Sequence, residues 1–366
     1  MRDEGTAAGP HYECLLEVKP LAAFLLADRV STEGRLMLMQ YTLKVDDAVC
    51  PEAVFALAAL SDSIPLFHDK HGSRHPVAIY NTSLSSVGRR LLRMVEHLSD
   101  RKGMLSHLAT NSPQWSTELI ERHDALLDAL MEHTEDCDNI LVSFFESAEV
   151  CKKHPLVRTY SIAIKKYRKH IGHIVNEIKH KQGRIRLVFL SESSAVCPGY
   201  FIEGLDHKGI VGPSPWIHKE GATAFSFNRD LRYHVCNVLE MSRHLATCVW
   251  ALSGGKQEVS MEAARKKDEF TRAIEQLALF PVDVFPDETT KAWPELGILP
   301  LPDSPLRTLV SDFPAKVHRG VSFKAFQIKT SFEGDGKSRQ FRLPYFATSD
   351  GSSTRDVRMR TNEKHQ

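Results

Sequence analysis

The best-defined helical pattern in the chain reads, from Arg158 to Lys181, RTYSIAIKKYRKHIGHIVNEIKHK. Its apolar residues recur every three or four positions, which is the period of an amphipathic α-helix. At about 100° per residue they fall in one stripe about 80° wide, so one face of this helix should be buried. The members of the stripe are Tyr160, Ile164, Tyr167, Ile171, Ile174 and Ile178.

Outward from this helix, the helical pattern extends over residues 114–182, whereas both flanks mix strand and helix signals. The sequence therefore predicts an α+β fold: a helical layer, about residues 114–182, packed with a mixed, largely antiparallel α/β remainder. We divide the chain into an α+β N-terminal region (1–113), the helical segment (114–182), an α+β C-terminal region with a closing β-hairpin (183–348) and a disordered tail (349–366).

Four further elements are predicted from local patterns. Partial alternation predicts a strand over Leu36–Val45, and a short apolar run predicts another over Val77–Tyr80. Asn228 is suited to cap a long helix that ends at Leu252 before two glycines. The closing hairpin is predicted from two strand-like runs around the Gly334–Gly336 turn.

Bulk composition restricts the class of protein. Of the 366 residues 42% are hydrophobic and 25% are charged, with a net charge of +1, so no global charge attracts nucleic acid or a membrane. Seven cysteines without a Cys-x-x-Cys pair predict reduced, buried thiols rather than a disulfide framework. Without an apolar segment of membrane-spanning length or a secretory signal, we expect no membrane association and a cytoplasmic address.

Local charge gives the strongest functional signal. Residues 152–186 contain eleven Lys or Arg and a single acid, Glu177. Five of the cations lie on the helix face opposite the apolar stripe, where they should attract phosphate. These are Arg158, Lys165, Arg168, Lys169 and Lys179. The alternative is a solvated face that is neutralised by acidic neighbours, for example the Glu132–Asp138 cluster.

A second pattern lies beside the apolar stripe of the same helix. His170, His173, Glu177 and His180 are spaced so that all four fall within about 80° of one another. Imidazoles beside a carboxylate can do acid–base work, which makes these four residues candidate catalytic groups lining one groove. Catalysis at phosphate would also need Arg229, Arg232 or His234 from a second helix within about 10 Å. Arg229 and His234 also fit an Arg-x4–6-His pattern, but six pairs in the chain fit it, so the pattern identifies no function. We do not expect the convergence.

The polar loop between Pro65 and Pro76 contains the candidate metal ligands His68, His71 and His75. Three imidazoles with this spacing could hold a zinc-like ion if the loop brought them together. Nothing else in the loop requires that arrangement.

These patterns predict, first, a protein that binds nucleic acid, RNA included, or another polyanion through the Arg158–Lys181 helix. The alternatives are a metal- or His-dependent nuclease or other hydrolase that uses the His170 stripe, and a protein–protein scaffold without catalysis. The sequence indicates no particular cofactor and no oligomeric state.

Overall fold

A computed structural model describes residues 39–43, 47–61, 64–110, 113–181, 183–192, 195–255, 267–289, 291, 293–300, 307–312, 327–329 and 342–345. Over these residues the protein combines α-helices with antiparallel sheets, which confirms the predicted α+β class. The boundaries that we drew between regions of the chain stay a prediction.

The described residues form eight α-helices. They are α1 (Glu52–Ala58), α2 (Pro76–Ser99), α3 (Arg101–Thr110), α4 (Pro113–Val142), α5 (Ala148–Lys153), α6 (Pro155–His180), α7 (Phe227–Leu252) and α8 (Glu269–Ala278). The predicted helical segment corresponds to α4, α5 and α6, and the helix predicted from Asn228 is α7. Both α6 and α7 carry the apolar stripe that periodicity indicated, and it is buried in each.

The described strands belong to two antiparallel sheets. They are β1 (Met39–Leu43), β2 (Ile185–Glu192), β3 (Ala195–Leu205), β4 (Val211–Pro213), β5 (Phe225–Ser226), β6 (Glu295–Pro300), β7 (Arg307–Asp312) and β8 (Gln327–Lys329). The smaller sheet has the order β1-β7-β6, and the larger has the order β4-β3-β2-β8 with β5 paired to β3. The β5–β3 pairing places Ser226 opposite Gly199, and α7 begins at the next residue. The first turn of α7 is therefore fixed against the middle of β3.

The helices share one large core. In it α2 packs against α4 and α8, while α6 packs against α4 and α7, and α1 also packs against α7. The contact between α2 and α8 is close: a Cβ atom on Gly88 would lie 2.7 Å from the backbone nitrogen of Phe270. Only a residue without a side chain fits there.

One strand prediction is wrong. Val77–Tyr80 forms the first turns of α2, which starts at Pro76. His75 caps this helix, because its Nδ1 accepts a hydrogen bond from the backbone N–H of Val77. Proline at the first helical position has the backbone angle that a helix needs, and it lacks only an N–H that would have no partner in the helix. A four-residue apolar run cannot by itself distinguish a strand from a helix start.

Other predictions are met only in part. Within the predicted strand Leu36–Val45, the described residues 39–43 form β1. Of the closing hairpin, the structure describes β8, which pairs with β2, and residues 342–345, which form a turn and no strand. The tail 349–366 and Cys14 lie outside them. The six described cysteines are free, and all but Cys50 are buried. No helix in the described ranges is long and apolar enough to cross a bilayer. The cytoplasmic address stays a prediction.

Candidate functional site

All five predicted phosphate-binding cations are exposed on α6, but two of them have acidic partners on α4. Arg168 Nη1 lies 2.5 Å from Asp138 Oδ2, and Lys179 Nζ lies 2.9 Å from Asp128 Oδ1. At the Asp128 and Asp138 contacts, the neutralised-face alternative is therefore correct. A phosphate group would have to compete with a carboxylate for either cation.

The other side of the exposed face carries cations without such partners. Arg158, Lys165 and Lys169 form no ion pair with any residue that the structure describes, and the same holds for the neighbouring Lys166. Viewed down the helix, they lie about 40° to 140° from His170, all on the same side of it. They form a basic strip that begins beside His170 and is interrupted by the exposed Ile162; we call it the α6 strip.

The four candidate catalytic residues of α6 have different surroundings. His173 and His180 are exposed, whereas the buried Glu177 accepts a hydrogen bond of 2.9 Å from Lys181 Nζ. His170 alone of these residues has ring contacts with α7, described next. The expected groove lined by three of the four side chains is thus replaced by two exposed imidazoles, one ion-paired carboxylate and one imidazole that faces α7.

His170 meets α7, contrary to our expectation. Its ring centroid lies 6.3 Å from that of His234 and 5.4 Å from that of Tyr233. The ring centroid of Phe225, just before α7, lies 5.7 Å from that of His170. The convergence that we did not expect is therefore present, because α6 and α7 pack against each other.

Behind His170, a buried chain of polar side chains joins three elements. Tyr200 of β3 donates a 2.7 Å hydrogen bond to Asp230 Oδ2, which also lies 3.2 Å from His234 Nε2. The other ring nitrogen of His234, Nδ1, lies 3.1 Å from Tyr167 Oη on α6. The side chains of His234 and Asp230 are 1% and 3% exposed, so this chain supports the site from behind and does not contact solvent.

Two more histidines lie close to this chain without completing a hydrogen-bond network. The ring of His123 is 4.2 Å from that of Tyr200, and neither of its nitrogens has a partner in the described part of the chain. His218 accepts a hydrogen bond from the backbone N–H of Ile202 at Nε2, whereas its Nδ1 is buried without a described partner. Buried imidazoles of this kind are most stable when neutral.

The charge states follow from burial. Desolvation lowers the pKa of His170 to about 4, with Arg229 and His173 among the charges that lower it further. It likewise lowers the pKa of His123 and of His218 to about 3. Burial alone would raise the pKa of Asp230, but its histidine neighbours, His234 first, lower it well below the ordinary value. At neutral pH the cluster thus contains an ionised Asp230 together with His123, His170 and His218 in their neutral forms.

The edge of the cluster is partly open to solvent. His170, Arg229, Tyr233 and Phe225 are partly exposed, in contrast to the buried groups behind them. Burial raises the pKa of Tyr233 to about 12, and Arg229 opposes this rise. Arg229 therefore influences both His170 and Tyr233 and lies near both. We call this set of partly exposed side chains the His170 edge.

Arg232, the other candidate cation of α7, points away from His170. Its guanidinium donates to the backbone carbonyls of Asn228 and Phe280 at 2.6 and 2.8 Å and lies over the ring of Trp293. These hydrogen bonds connect α7 to Phe280, just after the end of α8. Arg232 therefore belongs to the packing between these helices.

The loop histidines do not form a metal site. His71 Nε2 lies 2.8 Å from the carbonyl oxygen of Phe145, and His75 uses Nδ1 to cap α2. The rings of His68 and His75 meet edge to face at 5.2 Å. No group of three or more His, Cys, Asp or Glu side chains in the described ranges is arranged to hold a metal ion.

Sequence reasoning missed most of the buried cluster. Asp230 and His234 could have been paired from their spacing of four residues on a helix, which places them on the same face. His123 and His218 come from α4 and from the loop before β5, and no local pattern links either to α7. No family model matches the chain, and no curated protein or solved structure is similar enough to it to count as a match.

Proposed function

We propose that the protein binds nucleic acid or a comparable polyanion along the α6 strip. The observation that carries the proposal is the exposure of Arg158, Lys165, Lys166 and Lys169 on one side of a rigid helix, without ion-pair partners in the described residues. Such cations release condensed counterions when they neutralise phosphates, which favours binding at moderate ionic strength.

The dimensions of the strip suit a run of phosphates. Arg158 and Lys169 are eleven residues apart, which corresponds to about 16 Å along the helix axis. Phosphates follow one another about every 3.4 Å along one strand of a duplex, so the strip could meet about five of them. Arg168 and Lys179, which are engaged by Asp138 and Asp128, should contribute less.

The binding test uses a fluorescein-labelled single-stranded RNA of 20 nucleotides and fluorescence anisotropy. A variant with Gln at Arg158, Lys165, Lys166 and Lys169 should bind at least about tenfold more weakly than the wild type. The slope of log K against log salt should fall by up to about 2.8, because each lost contact with a single strand removes about 0.7.

A matched control removes the same amount of charge elsewhere. Arg89, Arg93, Arg101 and Lys102 are exposed cations of α2 and α3, away from the α6 strip. Their replacement by Gln should change the affinity by less than about threefold if the contacts are local. Equal weakening by both variants would mean that only net charge matters, and a wild type that binds no RNA would overturn the proposal in favour of the scaffold alternative.

A further inference from the structure

The His170 edge lies directly beside the α6 strip. Lys166 and Lys169 are about 40° and 100° from His170 around the helix, and His173 lies between them at about 60°. A strand bound along the strip would therefore run past the point where His170 faces α7. Tyr233 approaches that point from the second turn of α7, and Arg229 lies one turn earlier on the same helix.

The three side chains of the edge supply complementary chemistry. A neutral imidazole can accept a proton and a phenol can donate one. The rings of His170 and Tyr233 lie 5.4 Å apart on adjacent helices. Arg229 keeps its positive charge in the pH range of interest and can stabilise charge that develops on a phosphate. Glu288 is also electrostatically coupled to Arg229, and burial raises the pKa of this carboxyl to about 7.

The buried chain behind the edge restricts how its parts can move. Tyr167 belongs to α6, Asp230 and His234 to α7, and Tyr200 to β3. The hydrogen bonds between Tyr167 and His234 and between Tyr200 and Asp230 therefore connect three elements, whereas His170 Nε2 is buried without a described partner. Catalytic geometry that is held by rigid elements loses little to reorganisation. Asp230 and His234 are positioning residues in this arrangement.

We propose that the His170 edge cleaves RNA by transferring the phosphodiester to the adjacent 2′-hydroxyl group. The imidazole of His170 takes the 2′-hydroxyl proton while the 2′-oxygen forms a bond to phosphorus. The bond from phosphorus to the 5′-oxygen breaks, and the 5′-oxygen receives the proton of Tyr233. Afterwards the imidazolium returns a proton to the phenolate, through water, which restores the site.

RNA is the substrate class that fits, because its nucleophile, the 2′-hydroxyl group, is attached to the sugar next to the phosphodiester that reacts. An adjacent hydroxyl reacts with the advantage of an intramolecular step, equivalent to an effective concentration of about 10⁵ M or more. One base, one acid and one cation then account for every proton and charge in the reaction. The products are a 2′,3′-cyclic phosphate and a 5′-hydroxyl end. This inference rests on the proposed binding function, because the α6 strip delivers the strand.

The test follows cleavage of the same labelled 20-nucleotide RNA, an all-DNA strand of the same sequence, and the RNA with one 2′-O-methyl group at its main cleavage position. Full-length wild-type protein should cleave only the unmodified RNA at that position, and mass spectrometry should find the cyclic phosphate. His170→Gln and Tyr233→Phe should each slow cleavage by at least about 100-fold, the lower range for loss of a general acid or base. Both should bind the RNA within about threefold of wild type.

The control is His207→Gln, since His207 is exposed in the turn between β3 and β4, away from the His170 edge. It should cleave at the wild-type rate. RNA that is bound but not cleaved would overturn this inference and leave the binding function intact. Cleavage of DNA at a similar rate, or unchanged cleavage by His170→Gln and Tyr233→Phe, would likewise overturn it. If no RNA is bound or cleaved, both proposals fail together.

Discussion

His234 Nε2 lies 3.2 Å from Asp230 Oδ2 across one turn of α7, with both side chains buried. Further along the same helix, His244 and Glu240 repeat the spacing at 2.7 Å, but their side chains are 23% and 19% exposed. The two pairs share their helical spacing and differ in contact with water and in their other partners. Glu240 also pairs with Arg243, whereas Asp230 also accepts a hydrogen bond from Tyr200.

The first prediction compares these two pairs. Asp230→Asn removes the buried carboxylate that accepts the hydrogen bond of Tyr200, and it should lower the free energy of unfolding by about 1.5–3 kcal/mol, the range for a hydrogen bond to a charged group. Glu240→Gln should cost less than about 1 kcal/mol, because a partly exposed pair is screened by solvent. Urea denaturation at pH 7.5 measures both. Equal losses would show that Asp230 has no special electrostatic role.

The second prediction concerns acid. Four histidines have pKa values lowered by desolvation to about 3 or 4, below the ordinary 6.5: the buried His123, His133 and His218, and the partly exposed His170. As the pH falls below about 6.5, these histidines bind protons in the unfolded chain but stay neutral in the folded protein. The free energy of unfolding should therefore decrease between about pH 6.5 and 4. The upper limit is about 1.4 kcal/mol per pH unit for each histidine.

Two carboxyl groups near the cluster modify this profile. The lowered pKa of Asp230 acts in the same direction at lower pH, whereas the raised pKa of Glu288, about 7, favours the folded state as the pH falls. The stability gained by protonating one glutamate is smaller than the stability lost at four histidines. Urea denaturation at pH 7.5, 6.5 and 5.5 should therefore give steadily decreasing stability, and a constant or rising value would contradict the assigned neutral imidazoles.

The helices could be predicted from sequence because their pattern is local. Apolar residues at helical spacing placed α6 and α7 to within a few residues, since any helix with such a stripe must bury it. Val77–Tyr80 failed because four apolar residues are too few to define a period. There the capping by His75 and the position of Pro76 decided the structure.

The functional surface could be predicted only in part. Helical geometry correctly placed the cations of α6 on the exposed face, but it could not show that Asp128 and Asp138 of α4 would pair with two of them. His170 was selected by its spacing, whereas the rings that contact it come from β5 and α7. Contacts between distant segments depend on how the whole chain packs, and local periodicity contains no information about them.

The third prediction exploits two buried histidines of α4 that differ in hydrogen bonding. His123 has no described partner at either nitrogen and packs against the rings of Tyr200 and Phe227. His123→Phe should therefore raise the free energy of unfolding by about 1 kcal/mol, since a desolvated polar group is removed. His133→Phe should lower it by about 1–2 kcal/mol, because Ser83 Oγ loses its partner at 2.8 Å. Shifts of the same sign in thermal and urea denaturation would refute this account.

The fourth prediction uses two glycines that lie inside helices. On α2, a Cβ at Gly88 would lie 2.7–2.9 Å from the backbone nitrogen, Cα and Cβ of Phe270, atoms that can move only if α8 moves. On α6, a Cβ at Gly172 would meet no atom within 4 Å. Both glycines thus lie in a helical backbone, but Gly88 is closely packed and Gly172 is not.

Gly88→Ala should lower the free energy of unfolding by about 1–3 kcal/mol, because overpacking forces α2 and α8 apart. Gly172→Ala should raise it by about 0.5–1 kcal/mol, because alanine favours the helix and narrows the unfolded ensemble. Urea denaturation of both variants beside the wild type measures the difference. A stabilised Gly88→Ala would mean that α2 and α8 do not approach each other as described, and a destabilised Gly172→Ala would mean that the exposed side of α6 is covered at that position.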